Sequence, residues 1–103
     1  MFKLSISTQP QSFELKTINS KSKLKTTILK ANTLNELCLF KIIQCRHNQP
    51  RLSRYYRDQL QHLLYVFQCE LQSPKSTVIK YDIAKEYVYD LQDLFNEIVN
   101  SMQ

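Results

Sequence analysis

Arg46, His47, Arg51, Arg54, Tyr55, Tyr56 and Arg57 crowd into twelve residues of the chain. Guanidinium forks grip carboxylates or phosphates in bidentate fashion, and a neighbouring tyrosine can stack on a base or fill a pocket in a partner. The chemistry of this run is anion recognition, and Arg46, Arg51, Arg54, Tyr55 and Arg57 are its candidate partner-binding residues. A plainer account covers part of it. Tyr56 falls on an apolar stripe, and Arg54 precedes Asp58 by four residues, the spacing of a surface ion pair.

Lys21, Lys23, Lys25 and Lys30 form a second basic run. Lysines on an exposed strand commonly guard it against edge-to-edge pairing. The alternative is that Lys21, Lys23 and Lys25 extend the arginine cluster into one anion-tracking surface, which requires strand and helix to present them on the same side.

Other chemistries find less support. Cys45, His47, His62 and Cys69 carry the donor atoms zinc prefers, yet neither a C-x-x-C hook nor a closely spaced histidine pair is present. Cys38 and Cys69 read as small core hydrophobes. A Cys45 nucleophile with His47 or His62 as base has no third group to orient the imidazole. Asp82, Glu86, Asp90, Asp93 and Glu97 recur at steps of three or four, which describes the wet face of a helix rather than a matched acid and base. Glycine is absent, although average usage would supply about seven in a chain of this length. Phosphate-cradling loops and nucleophile elbows need glycine where a Cβ would block backbone approach. The reading is a non-enzymatic protein that uses no metal or cofactor.

The net charge of +5 is unevenly spread. Residues 1–57 carry eleven Lys or Arg against Glu14 and Glu36, whereas residues 58–103 carry three Lys against seven acids. A basic first half suits an acidic protein surface or nucleic acid, and an acidic second half does not. Three widely spaced cysteines cannot form a complete set of internal disulfides, which fits a reducing cytoplasm. The densest apolar stretch, Leu37 to Ile43, is interrupted by Lys41, so no membrane span is expected.

Positioning these residues falls to elements outlined by the hydrophobic pattern. Phe2, Leu4 and Ile6 alternate with polar neighbours, as do Phe13, Leu15 and Thr17, with Gln9-Pro10-Gln11 as a turn between them. Asn19-Ser20-Lys21-Ser22 marks a second turn, and Leu24, Thr26 and Ile28 a third strand. Thr33-Leu34-Asn35-Glu36 matches a capping box, placing a helix start at Thr33. That helix is apolar on nearly every side up to Arg46, so it is either central or covered by a partner. Leu52, Tyr56, Leu60, Leu63, Leu64, Phe67 and Leu71 define a second helix from Pro50 to just before Pro74. Ser76 to Tyr81 reads as a short edge strand or as the opening of the last helix, the strand being preferred, and Asp82 reads as the cap of a last helix whose stripe runs from Ala84 to Met102. The expected fold is a single α+β domain over residues 1–103: an N-terminal antiparallel β-meander of two to three strands against three helices, in the order β-β-β-α-α-(β)-α.

These features describe a compact regulator or inhibitor that docks on an acidic protein surface or a nucleoprotein complex. Accessory proteins of bacteriophages and mobile elements, anti-CRISPR inhibitors among them, fill such roles at similar size, which is analogy alone. Direct DNA or RNA binding by the same Arg and Lys residues is a second reading. A homodimer that buries the first helix between subunits is a third.

Overall fold

The computed structural model describes residues 4–102, with side chains from Ser20 onward. Three helices account for almost all of this length: α1 (Leu4–Asn48), α2 (Pro50–Gln72) and α3 (Thr77–Ser101). Among the described residues there is no strand. The fold is all-α, and the expected α+β architecture with its N-terminal β-meander is overturned. Phe2, at the start of the first expected strand, lies outside the described residues.

The reason lies in a longer pattern that the short alternations masked. Leu24, Ile28, Ala31, Asn35, Cys38, Ile42 and Cys45 follow one another at alternating steps of four and three. That spacing places all seven along one face of a helix, whereas Leu24, Thr26 and Ile28 satisfy a strand over only three positions. Ala31, Cys38, Ile42 and Cys45 are buried in consequence. The expected turn at residues 19–22 is helical, and Ser20 is buried. Nor does Thr33 begin a helix. It sits inside α1, where its hydroxyl donates to the carbonyl of Leu29 at 3.1 Å, the back-bond of a mid-helix threonine rather than a cap.

α2 begins with Pro50 in its first turn, where the missing N–H leaves no helical bond unmade. A single residue, Gln49, joins it to α1, and the helices fold back antiparallel, as the bond from Ser53 to the Ile42 carbonyl shows. Pro74 stops α2 at Gln72. The edge strand expected at Ser76–Tyr81 is also corrected. Ser76, not Asp82, caps α3, its side chain accepting from the Ile79 N–H at 3.3 Å, and this satisfies an otherwise orphaned donor and lets the helix start at Thr77.

Cross-helix hydrogen bonds fix the arrangement. Ser53 on α2 donates to the Ile42 carbonyl at 2.9 Å, and the Cys38 thiol donates to the Leu91 carbonyl of α3 at 3.5 Å. Tyr56 shares a hydrogen bond with Ser101 near the end of α3. α1 and α3 therefore run parallel, with α2 antiparallel to both. Tyr56, Leu60 and Phe67 of α2 meet Tyr87, Val88, Leu91, Leu94 and Ile98 of α3 over the α1 seam in one buried cluster. With 45 residues in α1 against 23 and 25 in its neighbours, at about 1.5 Å per residue α2 and α3 can flank only about half of it.

Two buried polar atoms, Asn35 Oδ1 and Tyr87 Oη, have no hydrogen-bond partner. An asparagine on an otherwise apolar seam costs stability while favouring one register of the helices. The Tyr87 ring is held by stacking on Phe67 at 4.1 Å between centroids, so its hydroxyl adds nothing to that contact. Tyr87→Phe is expected to raise stability by about 1 kcal/mol, measured as a higher urea midpoint with an unchanged slope. A lower midpoint would show that the hydroxyl is satisfied in solution.

Candidate functional site

The turn between α1 and α2 gathers three of the four arginines singled out in the sequence. Arg46, from the last turn of α1, faces Arg54 and Arg57, from the first two turns of α2, across a cleft of about 280 Å³ floored by Pro50 and Ser53. The one-residue connection at Gln49 brings them together, because it folds α2 straight back along α1. Ser53 keeps the walls in register through its bond to Ile42. The only ion pair among the described residues joins Lys75 to Glu70 at 3.7 Å. Among the described residues no carboxylate neutralises the three guanidiniums, and the Arg54–Asp58 pair suggested by sequence spacing does not form. Like charges held this close form a strong positive field that a carboxylate or phosphate would relieve.

Arg51 and Tyr55 are placed differently. Arg51 turns to a separate shallow cleft beside Gln49, Leu52 and Ser101. Tyr55 is exposed, its ring meeting Tyr56 edge-on at 5.4 Å. The lysines do not join the cluster at all. Lys23 and Arg46 are 23 residues apart on one helix, a separation of about 35 Å. Steps of two on a helix also turn each successive side chain by about 200°, so the row that Lys21, Lys23 and Lys25 would form on a strand is dispersed around α1. Lys23 instead lies over the Tyr81 ring at 5.9 Å, with Lys85 over the same ring at 5.2 Å.

The structure adds a surface that the search for charged and chemical residues did not single out. Leu29, Phe40 and Ile43 are 62%, 57% and 56% exposed, and they lie on the side of α1 opposite its buried seam. Leu37 and Leu39 flank them, also exposed. Leu39, Ile43 and Arg46 are spaced four and three apart, so this apolar face runs into the arginine cleft without interruption. The signal was present in the all-round apolarity of Leu37 to Ile43. α1 is not central, so the outer half of that apolarity is left uncovered by the described chain.

The cysteines divide unexpectedly. Cys38 and Cys45 are buried, but Cys69, expected in the core, is exposed. Burial pushes the Cys38 thiol up to about 11 from its ordinary 9.0, which keeps it protonated and a poor nucleophile at neutral pH. Burial, with Cys38 nearby, pushes the Tyr87 phenol up to about 12. Among the described residues, no three His, Cys, Asp or Glu side chains converge as metal ligands. No described helix is long and apolar enough to cross a membrane. No family model matches the chain, and no curated protein or solved structure is found to be similar to it.

On α3 the Asp90 carboxyl is raised above its ordinary 3.8, first by partial burial and then by Glu86 and Asp93 beside it. A raised carboxyl binds its proton more tightly in the folded than in the unfolded chain, so charged Asp90 weakens folding above its folded value and not below 3.8. Asp90→Asn should therefore raise stability at pH 7. The gain should shrink as pH falls through the carboxyl range and vanish below 3.8, followed by urea unfolding at each pH. A gain independent of pH would assign it to packing instead.

Proposed function

We propose that this chain is a non-enzymatic binding protein that regulates or inhibits a larger protein or nucleoprotein assembly by docking on an acidic, partly apolar protein surface. The observation that carries the reading is the continuity of the exposed Leu37–Ile43 face of α1 with the Arg46, Arg54 and Arg57 cleft, which no carboxylate among the described residues neutralises. Apolar anchors bordered by arginine have the composition of a protein-binding hot spot, in which buried apolar contact supplies affinity and guanidinium forks supply orientation.

Two other readings are weaker for stated reasons. A nucleic-acid track needs cations in succession along a phosphate backbone, but Lys21, Lys23 and Lys25 stand about 35 Å from the arginine cleft and are turned around α1, with only Lys30 and Lys41 between. A two-fold dimer through the outer face of α1 would lay two basic helices together. From Ser20 to Asn48 each carries six Lys or Arg against Glu36 alone, and like charges across an interface are repulsive.

Affinity capture with the intact protein, followed by binding measurements on the purified captured protein, tests the reading. Replacing Arg46, Arg54 and Arg57 together by Ala should weaken that binding by on the order of tenfold or more, and Phe40→Ser should do likewise. Replacing Lys21 and Lys23 should change it little. If titration with mixed DNA and RNA gives binding whose log–log salt slope falls by about one per arginine removed, the nucleic-acid reading replaces this one.

A further inference from the structure

The side of the bundle away from α1 carries a surface of the opposite kind. A groove of about 380 Å³ runs between α2 and α3, lined by residues of those two helices alone. The stacked Phe67 and Tyr87 rings form its floor, and Val66 and Ile79, both exposed, form its shoulders. Glu70, Asp82, Glu86 and Asp90 stand along its rim. Lys75 neutralises Glu70. The other three have no basic partner within ion-pair distance among the described residues, and the Asp90 carboxyl is raised by partial burial and then by Glu86 and Asp93. From Ile79 to Asp90 the groove follows three turns of α3, about 16 Å of helix.

The matching shape and charge lie on the same molecule. The outer face of α1 is an apolar ridge, Leu29, Phe40 and Ile43, flanked by Lys25, Lys30 and Arg46. Exposed Glu36 also lies on this face, between Leu29 and Phe40, so the apolar part is densest from Leu37 to Ile43 and the face as a whole is net cationic. A net cationic helix bearing apolar anchors is the complement of an apolar groove with an acidic rim, the arrangement by which amphipathic helices bind between two others. Within one chain the two surfaces cannot meet, because they lie on opposite sides of the bundle. We infer that copies of this chain associate head to tail, the α1 face of one seated in the α2–α3 groove of the next. The inference rests on the docking role proposed for α1, and it names a second copy as an occupant of that face.

The contact is heterologous, joining unlike surfaces, so each added copy still offers a free face and a free groove. It also avoids the clash of two basic helices that a two-fold α1 pair would create. One functional consequence is that self-association covers the surface proposed to bind the partner, so partner and second copy compete for it.

Sedimentation velocity on the full chain tests this. The weight-average mass of the wild type should rise continuously with concentration, and fall with added salt. Phe40→Asp and Glu86→Lys change exposed residues on the face and in the groove respectively. Each alone should stay monomeric, with an unchanged circular dichroism spectrum. Mixed in equal amounts, they should form a heterodimer and nothing larger, because only one intact face and one intact groove remain. A wild type that stays monomeric at hundreds of micromolar overturns the inference, as does a closed dimer lost with Phe40→Asp but indifferent to Glu86→Lys. The partner captured in the preceding experiment separates the two claims. If Phe40→Asp abolishes its binding while the wild type never self-associates, only the head-to-tail contact fails. If its binding survives Phe40→Asp, the docking role of α1 fails with it.

Discussion

A helix in a three-helix bundle can be covered on one side only, and α1 is apolar on two. Its inner seam, from Leu24 through Ala31, Cys38 and Ile42 to Cys45, holds α2 and α3, and burial of that seam is the largest favourable contribution α1 can make to folding. Once the two shorter helices have taken it, no other described element reaches the opposite side. Leu29, Phe40 and Ile43 stay in water because the inner seam is satisfied first. The functional surface is thus what remains after the core has chosen its face.

The same arrangement sorts the charges. The first half of the chain is basic and the second acidic, but along an up-down-up bundle sequence halves become spatial sides. α1 and the first turns of α2 give a cationic side ending in the Arg46, Arg54 and Arg57 cleft. The rest of α2 and α3 give an acidic side whose carboxylates are close enough to disturb one another at Asp90. Helix pairing around a shared core keeps these sides apart, so the molecule is a dipole across its width.

Legibility in the sequence followed the length of each pattern. α2 and the body of α3 could be read because their stripes extend over five or more turns. The arginine cleft was half legible, since proximity across Gln49 guaranteed that Arg46 and Arg54 would meet, but which way Arg51 faced depended on packing. The first half of α1 was misread because Leu24, Thr26 and Ile28 satisfy a strand over three positions, while the seam from Leu24 to Cys45 runs through that supposed strand and across the supposed cap at Thr33. Thr33 illustrates the ambiguity at one residue. Threonine followed three positions later by glutamate starts helices, yet the same hydroxyl is equally served by the Leu29 carbonyl inside one. The lysine row failed for the same cause, since its alignment existed only in strand geometry.

Placing two apolar faces on one helix separates stability from recognition. Cys38 and Ile42 point inward, where truncation leaves a cavity that neighbours only partly refill, whereas Phe40 and Ile43, one or two positions away, are more than half exposed. Substitutions on the outer face can therefore alter binding with little effect on the fold. Such a face is also a hazard, because an exposed apolar patch invites indiscriminate association. Here the hazard is limited by Lys25, Lys30, Lys41 and Arg46 interspersed along the helix, which repel any equally basic surface and leave an acidic one as the favoured match. The charges on α1 thus act first by exclusion, and the affinity that remains comes from the apolar ridge they enclose.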